Sequence, residues 1–368
     1  MFNRTDYQYM SRALHLAERG LYTTDPNPRV GCVLARDGEV VGEGWHERAG
    51  EPHAEVHALR DAGERARGAT AYVTLEPCCH HGRTPPCSEA LVEAGVVRVV
   101  AAMQDPNPRV AGQGLRQLSE AGLDVAAGLL EAQAEALNPG FVMRMRHGRP
   151  FVRCKLAMSL DGRTAMASGE SQWITGEAAR ADVHRLRARS SAILSGIGTV
   201  LSDDPSLTAR PGGPAPPGGW LQPLRVILDP HLSTPPTAGM LTLPGRTLIV
   251  TTTDEPAISE RLREGGADVV VLPGRGDSLD LQALLECLAE REVNEALLET
   301  GATLSGAMLR AGLIDELVLY MAPHLMGDGA RGLFHLPALE QMAQRIELDI
   351  RDIRAVGGDW RISAGVKT

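Results

Sequence analysis

The feature that most constrains this chain is the segment of residues 75–87, which holds three of its six cysteines. The segment reads Leu-Glu-Pro-Cys-Cys-His-His-Gly-Arg-Thr-Pro-Pro-Cys, so a His-His pair and four turn-forming residues accompany the cysteines. Cysteines bunched in this way are typical of a metal site or of catalysis rather than of a disulfide framework. The segment therefore predicts that neighbouring elements of the fold converge on a metal ion.

The pattern around this segment indicates catalysis by zinc. A catalytic zinc ion takes three protein ligands and leaves a fourth position for water, and thiolates with a neutral imidazole suit it. His53-Ala-Glu55, followed by Pro-Cys78 and then by Cys87, resembles the pattern of zinc deaminases. We predict His53, Cys78 and Cys87 as ligands, with His53 on the first turn of its helix or just before it. Glu55 is predicted as the catalytic residue that relays a proton from the activated water to the substrate.

Other ligand sets remain open at this point. Eight residues separate Cys78 from Cys87, whereas the general pattern has two between its cysteines. Cys78 and Cys79 point to opposite sides of an extended chain, so we expect only one of them to bind. Cys79 or His81 is the alternative ligand. A structural zinc site would instead take four protein ligands, for example Cys78, Cys79, His80 and Cys87.

Charge and hydropathy exclude several classes of partner. The formal net charge of −9 argues against a broad nucleic-acid surface. No apolar run approaches the roughly 18 residues of a membrane span, and the first residues show no secretory signal. We therefore expect a cytoplasmic protein with a small-molecule substrate and neither nucleic acid nor membrane as partner. A nucleic-acid deaminase with an unrelated appendage and a noncatalytic zinc-binding module are the alternatives.

Strand and helix patterns alternate along both halves of the chain, which predicts two α/β domains. A boundary is expected in the segment 143–150, and the predicted domains are residues 1–146 and 147–368. Thr5 is the expected cap of the first helix, and Asp37-Gly38 the turn of the first hairpin. In the first domain we predict helices over 5–19, 53–66, 87–94 and 130–137 and strands over 30–35, 39–45, 71–75, 96–103 and 125–128. In the second we predict strands over 151–158, 192–197, 224–228, 247–251, 268–272, 296–298 and 317–321.

Taken together, four motifs closely resemble the bifunctional deaminase-reductases of riboflavin biosynthesis. They are Asp-Pro-Asn-Pro-Arg-Val-Gly at 25–31, His-Ala-Glu at 53–55, the cysteine segment at 76–87, and Lys-Leu-Ala-Met-Ser-Leu-Asp-Gly-Arg at 155–163. The resemblance implies an N-terminal cytidine-deaminase-like α/β/α domain and a C-terminal dihydrofolate-reductase-like α/β domain. It also implies zinc-dependent deamination of 2,5-diamino-6-ribosylamino-4(3H)-pyrimidinone 5′-phosphate, followed by NADPH reduction of the ribosyl group to ribityl. His53, Cys78 and Cys87 match the family's zinc ligands, and Glu55 its proton shuttle.

The resemblance also implies substrate contacts in the first domain. Asn27 would hydrogen-bond the pyrimidine edge, and an Asx turn before Pro28 is the alternative for this residue. His80 and Arg83 would bind the sugar phosphate, with a solvated loop residue as the alternative for Arg83.

In the second domain, the segments 195–205 and 299–306 contain small residues, and each follows a predicted strand. Small residues permit close approach of a cofactor. The resemblance assigns contacts with NADPH to Ala157, Trp173, Thr199, Asp203, Gly301, Ala302, Thr303 and Leu304. It assigns substrate contacts to Ser171, Arg187, Arg210 and Glu299. Lys155 either binds substrate or assists protonation. A core position for Trp173 and a solvated helix face for Arg187 are the alternatives, and pairing of exposed sheet edges would give a homo-oligomer.

Overall fold

Two units divide this chain, residues 1–148 and residues 149–368. The computed structural model describes residues 2–79, 86–108, 110–216, 218–275, 278–337 and 339–367. The last helix of the first unit, Pro139–His147, ends one residue beyond the domain boundary predicted at 146. Within the described residues, no helix has both the length and the apolar character needed to cross a membrane.

The first unit builds a mixed sheet with helices packed against it. Its strands are β1 (Gly31–Arg36), β2 (Glu39–Trp45), β3 (Thr70–Val73), β4 (Arg98–Ala101) and β5 (Asp124–Ala127). They lie in the order β2-β1-β3-β4-β5; β1 is antiparallel to β2 and β3, and the pairs β3-β4 and β4-β5 are parallel. The helices are α1 (Arg4–Glu18), α2 (Ala54–Ala62), α3 (Cys87–Glu93), α4 (Gln113–Glu120), α5 (Glu131–Leu137) and α6 (Pro139–His147), with a 3₁₀ turn over Gly63–Ala66.

The first hairpin and the first helix test two local predictions. Asp37 and Gly38 both have positive φ, at 54° and 83°, as a two-residue turn between β1 and β2 requires. The predicted cap at Thr5 is wrong. Asn3 caps α1, because its extended backbone lets the side chain accept hydrogen bonds from the backbone N–H groups of Thr5 and Asp6.

Two glycines of β2 bring α2 close to the sheet. A Cβ atom on Gly44 would lie 2.4 Å from the Ala54 carbonyl oxygen and 2.5 Å from the Ala58 nitrogen. A Cβ atom on Gly42 would lie 2.3 Å from the Ala58 carbonyl oxygen. Only glycine permits this approach, which sets the first turn of α2 directly against the strand.

A buried carboxylate joins α1 to the sheet of the first unit. Asp6 accepts hydrogen bonds from the Tyr72 hydroxyl at 2.8 Å and from Arg98 Nη1 at 2.7 Å. Burial alone would raise the pKa of Asp6, but its hydrogen bonds with Arg98, Asn3 and Tyr72 lower it to about 2. Because the folded pKa lies below the unfolded value, the stabilisation by Asp6 is complete above the unfolded pKa and is lost as pH falls through the folded one.

Asp6→Asn is therefore expected to lower the free energy of unfolding by about 2 kcal/mol at pH 7 and by only about 1 kcal/mol at pH 3. Urea unfolding at the two pH values measures both effects. Asp124→Asn is the matched control, because Asp124 pairs with the same Arg98 from an exposed position and its loss should cost little at either pH. An equal cost of Asp6→Asn at both pH values would contradict this assignment.

The second unit contains a longer sheet that is parallel over most of its width. Its strands are β6 (Phe151–Ser159), β7 (Arg163–Ala165), β8 (Ala192–Gly196), β9 (Leu224–Leu228), β10 (Thr247–Thr251), β11 (Ala267–Val271), β12 (Gly274–Arg275), β13 (Ser278–Leu279), β14 (Glu295–Leu298), β15 (Glu316–Ala322), β16 (Arg331–Gly332), β17 (Leu348–Val356) and β18 (Asp359–Val366). The helices are α7 (Glu177–Arg189), α8 (Ile197–Asp203), α9 (Pro256–Glu264), α10 (Leu281–Glu290) and α11 (Ala302–Arg310), with 3₁₀ turns over Gly239–Thr242 and Met342–Gln344.

The main sheet has the order β11-β10-β9-β8-β14-β6-β15-β18-β17. Its strands are parallel from β11 to β15, and β18 and β17 add an antiparallel hairpin at one edge. The predicted strands of this domain correspond to β6, β8, β9, β10, β11, β14 and β15, whereas the C-terminal hairpin was not predicted. Cys32, Cys154 and Cys287 are buried within their units.

Candidate active sites

Three side chains of the first unit converge as a metal-binding group. One ligand atom from each of His53, Cys78 and Cys87 lies within 4.8 Å of the other two. His53 Nδ1 is 3.3 Å from the Cys87 Sγ atom and 3.6 Å from the Cys78 Sγ atom. One imidazole nitrogen and two sulfurs form a donor set that suits zinc and leaves a fourth position for a small ligand.

Two of these residues lie at the N-termini of helices, and Cys78 lies in the loop that follows β3. His53 is the N-cap of α2, as the spacing of His53 and Glu55 predicted, and its imidazole makes no capping hydrogen bond. Cys87 is the first residue of α3, and its backbone N–H donates to the Cys78 Sγ atom at 3.3 Å. Ser88 holds the loop that follows β3, because its N–H and its hydroxyl both donate to the Cys78 carbonyl oxygen.

One of the two alternative ligands, Cys79, lies within the described residues. Cys79 is absent from the metal-binding group found among the described residues, in line with the opposite directions expected of adjacent side chains. His81, the other alternative ligand, lies outside the described residues. So do His80 and Arg83, the predicted ligands of the sugar phosphate.

Glu55 is buried beside the metal-binding group. It stands in the first turn of α2 with 3 % of its surface exposed. Burial raises the pKa of Glu55 to about 7, against the opposing effect of His53. The hydrogen bond with Cys87 lowers the pKa of Cys78 to about 4, and the same bond raises the pKa of Cys87. A carboxyl group in this position can exchange protons with a ligand held at the metal.

Sequence reasoning missed His46, which links Asn27 to the metal-binding group. The Asn27 amide donates to His46 Nε2 at 3.1 Å, and His46 Nδ1 donates to the Pro52 carbonyl oxygen at 3.1 Å. The His46 ring packs edge-on against the His53 ring, with centroids 5.4 Å apart. Burial lowers the pKa of His46. The only sequence signal is a histidine directly after a predicted strand.

Glu76 was also missed as a structural element of the site, although it stands two residues before Cys78. Its buried carboxylate accepts hydrogen bonds from the backbone N–H groups of Asp105, Gly112, Gly114 and Leu115. The last two belong to the first turn of α4, whose N-cap glycine offers no side chain. Glu76 therefore acts as a remote cap for α4 and fixes the chain that leads to Cys78.

Glu76→Gln is expected to lower the free energy of unfolding by about 2 kcal/mol, because an amide accepts fewer of these hydrogen bonds than a carboxylate. Hydrogen exchange at the four donor amides should accelerate in the same variant. Glu93→Gln, on the exposed face of α3, is the matched control and should leave both quantities unchanged. Exchange at these amides that remains as slow as in the parent protein would contradict the capping role.

A cavity of about 1800 Å³ opens in the second unit at the carboxyl ends of β6, β8 and β14. Ligands of open parallel sheets bind outside this edge. All thirteen residues predicted to bind cofactor or substrate in this domain line the cavity: Lys155, Ala157, Ser171, Trp173, Arg187, Thr199, Asp203, Arg210, Glu299, Gly301, Ala302, Thr303 and Leu304. The sequence predictions for this domain therefore fall in one place.

An ion pair stands in the wall of this cavity. Arg187 donates to both carboxylate oxygens of Glu299, at 2.6 and 3.0 Å, and to the Thr208 carbonyl oxygen at 3.2 Å. A solvated helix face for Arg187 is therefore wrong. Burial alone would raise the pKa of Glu299, but Arg187 outweighs it and the pKa is lowered. Burial lowers the pKa of Lys155, which lies near the same pair.

Aromatic and basic side chains line other parts of the cavity. Trp173 is 71 % exposed, so a core position for this residue is wrong. The Arg180 guanidinium lies 4.7 Å from the centroid of the Trp173 ring. His184 accepts a hydrogen bond from the Arg210 backbone N–H, and burial lowers the pKa of its imidazole. Sequence reasoning missed Arg180 and His184, which share the helix of Arg187.

Comparisons with known proteins identify the families that the two units resemble. A family model described as the cytidine and deoxycytidylate deaminase zinc-binding region matches residues 3–103, and one described as the RibD C-terminal domain matches residues 150–362. The fold and the sites thus define a two-domain enzyme, in which a deaminase domain with a zinc-binding region precedes a reductase domain of dihydrofolate-reductase-like fold. The chain belongs to the RibD family of bifunctional deaminase-reductases of riboflavin biosynthesis. The fold class and family predicted from the sequence are confirmed, and both alternative functions are wrong.

Individual relatives match nearly the whole chain. RibD of Escherichia coli (strain K12) is 53 % identical over 363 residues, which cover 96 % of this chain and 97 % of that protein. The solved structure of Acinetobacter baumannii RibD, form 1, is 46 % identical, covers 99 % of both chains and has a TM-score of 0.93. A Thermotoga maritima structure is 31 % identical, covers 99 % of both chains and has a TM-score of 0.84. Its title names a diaminohydroxyphosphoribosylaminopyrimidine deaminase/5-amino-6-(5-phosphoribosylamino)uracil reductase.

Proposed function

We propose that the first unit deaminates 2,5-diamino-6-ribosylamino-4(3H)-pyrimidinone 5′-phosphate and that the second unit reduces the ribosyl group of the product to ribityl with NADPH. The division of activities follows the predicted domains, residues 1–146 and 147–368. The observation that carries the proposal is the convergence of His53, Cys78 and Cys87 beside the buried carboxyl of Glu55.

His53, Cys78 and Cys87 would hold a zinc ion, and their nitrogen and two sulfurs fit that metal. When bound, zinc supplies a water molecule that loses its proton near neutral pH. Glu55 is the group that accepts a proton and passes it to the pyrimidine ring nitrogen and then to the leaving amine. Its burial excludes bulk water from this transfer.

Substrate recognition in the first unit is proposed for three residues. Asn27 orients the pyrimidine edge, and its hydrogen bond to His46 fixes which way the amide faces. His80 and Arg83 bind the sugar phosphate through charge-assisted hydrogen bonds.

In the second unit, the cavity of about 1800 Å³ supports the assignment of a cofactor site. The main chain at Gly301, where a Cβ atom would meet no neighbour within 4 Å, allows a cofactor to approach closely. We assign NADPH contacts to Ala157, Trp173, Thr199, Asp203 and the residues 301–304. We assign substrate contacts to Lys155, Ser171, Arg187, Arg210 and Glu299, where the cationic side chains suit a phosphate and Glu299 suits hydroxyl groups.

An assay with the phosphorylated diaminopyrimidine tests the proposal. Zinc-replete protein should release ammonia and oxidise NADPH, and supplying the deaminated intermediate should support NADPH oxidation without ammonia release. Consumption of NADPH with no ammonia from the first substrate would overturn the deaminase assignment. Deamination of oligonucleotides in place of the pyrimidine would overturn the substrate.

Two further assignments belong to this proposal. The cysteines in the described structure are free, which fits a reducing compartment, and we assign the protein to the cytoplasm. We also propose a homo-oligomer in solution.

A further inference from the structure

A short segment of the second unit, residues 207–210, carries Arg210 to the cavity that it lines. Leu207, Thr208 and Ala209 are buried, with exposed fractions of 3, 7 and 1 %, whereas Arg210 is exposed. The structure places all four residues outside its helices and strands. Buried backbone N–H and C=O groups need hydrogen-bond partners, and here side chains supply them.

The side chain of Gln222 binds both backbone polar groups of Ala209. The Ala209 N–H donates to Gln222 Oε1 at 2.9 Å, and Gln222 Nε2 donates to the Ala209 carbonyl oxygen at 2.9 Å. Two residues that face each other in an antiparallel sheet exchange the same two hydrogen bonds. An amide side chain can replace such a residue because it carries one acceptor atom and one donor atom side by side.

Two side chains of α7 bind the backbone groups on either side of Ala209. Arg187 Nη1 donates to the Thr208 carbonyl oxygen at 3.2 Å, and the Arg210 N–H donates to His184 Nδ1 at 3.2 Å. In an extended chain, the N–H and C=O of one residue point to the same side, and the adjoining groups of its neighbours point to the other. The three side chains therefore take the place of two neighbouring strands and fix the backbone from which the Arg210 side chain projects.

Gln222 is itself held in place by the main sheet. Strand β9 begins two residues later at Leu224. Gly245 leaves room for the glutamine, because a Cβ atom on this glycine, whose φ is 103°, would lie 3.0 Å from the Gln222 Cβ atom. Between Ala209 and Gln222 the chain runs through residues 211–219, which consist of proline, glycine and one alanine. The hydrogen bonds of Gln222 thus tie the start of this loop to the sheet.

We propose that Gln222 is a positioning residue for the reduction, which holds the Ala209 backbone and through it the Arg210 guanidinium that binds the substrate phosphate. This inference rests on the proposed assignment of Arg210 to the substrate. A segment that spends only part of its time in the binding-competent arrangement binds its ligand more weakly by that fraction. Loss of the Gln222 hydrogen bonds should therefore raise KM for the phosphorylated substrate and leave kcat unchanged.

Gln222→Met retains the approximate size of the side chain but cannot replace the two hydrogen bonds. It should raise KM for the deaminated intermediate on the order of tenfold, while kcat and the KM for NADPH stay within about twofold of the parent values. Gln222→Glu still accepts from the Ala209 N–H but turns a second oxygen toward the Ala209 carbonyl, so its KM should also rise. Gln282→Met, at an exposed position of α10, is the matched control and should keep the parent kinetics.

Combination with Arg210→Met separates positioning from a general effect on the fold. Arg210→Met alone should raise the same KM, and adding Gln222→Met to it should change KM by less than about twofold, because both substitutions remove one contact. Hydrogen exchange at the Ala209 amide gives a readout that needs no substrate. It should accelerate in Gln222→Met and stay at the parent rate in Arg210→Met.

The possible failures point to different conclusions. No NADPH oxidation by the parent protein with the deaminated intermediate, or a parent KM in Arg210→Met, would overturn the proposed function of this site. With an active parent, effects of Gln222→Met and Arg210→Met that multiply would overturn the positioning role. A parent KM in both Gln222 variants, or unchanged exchange at the Ala209 amide in Gln222→Met, would overturn it as well.

Discussion

Replacing Glu55 by glutamine is expected to abolish ammonia release from the diaminopyrimidine while NADPH oxidation continues on the deaminated intermediate. Glutamine keeps the size and the buried position of the side chain but cannot accept and return a proton. General acid–base groups contribute about 10²- to 10⁴-fold to such reactions, so deamination should fall by at least that range. A coupled ammonia assay and the absorbance of NADPH measure the two steps separately.

The control for this prediction is Glu64→Gln, an exposed carboxylate of the same unit that should leave both steps unchanged. Metal analysis of Glu55→Gln is part of the same experiment, because the variant should retain zinc. Loss of zinc would mean that the residue holds the metal site together, and loss of both activities would contradict separate sites. Ammonia release at the parent rate would remove Glu55 from the mechanism.

The metal-binding group could be predicted because local sequence determines most of it. The turn-forming residues between Cys78 and Cys87 allow the chain to return, and the spacing of His53 and Glu55 limits where the helix can begin. His53 and Cys87 lie at the N-termini of α2 and α3, where side-chain direction follows from the helix itself. The fine position of the sulfurs depends on Ser88, which the sequence does not mark as special.

The supporting residues were not predictable, because their partners are distant in sequence and are mostly backbone groups. Glu76 binds amides 29 to 39 residues away. His46 contacts Asn27, which stands 19 residues earlier in the chain, and the ring of His53 at the start of α2. A polar residue beside a motif has no periodic signal that separates it from an ordinary loop residue. Tertiary contacts alone reveal its role.

In the second unit the central strands were predictable and the edge hairpin was not. Strands that are buried on both faces have continuous apolar runs in their sequences. Such runs occur in β8, β10 and β14. Strand β17 instead repeats Asp-Ile-Arg every three residues, a spacing that suggests neither a strand nor a helix. A β-bulge between Ile350 and Asp352 makes this repeat compatible with a two-faced strand. Such a device becomes visible only once the pairing with β18 is known.

The second large effect is expected for Arg187→Met, which should lower kcat/KM for the NADPH-dependent step on the order of a hundredfold. The variant leaves the buried carboxylate of Glu299 without its counter-ion, so the pKa of Glu299 should rise and the wall of the cavity should lose a fixed charge. Steady-state kinetics on the deaminated intermediate measure the effect, and ammonia release from the first unit should stay at the parent rate.

Arg185→Met is the matched control for this variant, because Arg185 lies on the same helix with 60 % of its side chain exposed. It should retain reductase activity within about twofold, as expected for an exposed ion pair. Arg187→Lys should fall between the parent and Arg187→Met, since lysine restores the charge but not the two parallel hydrogen bonds to Glu299. Equal kinetics for Arg187→Met and Arg185→Met would show that the ion pair plays no part in the reduction.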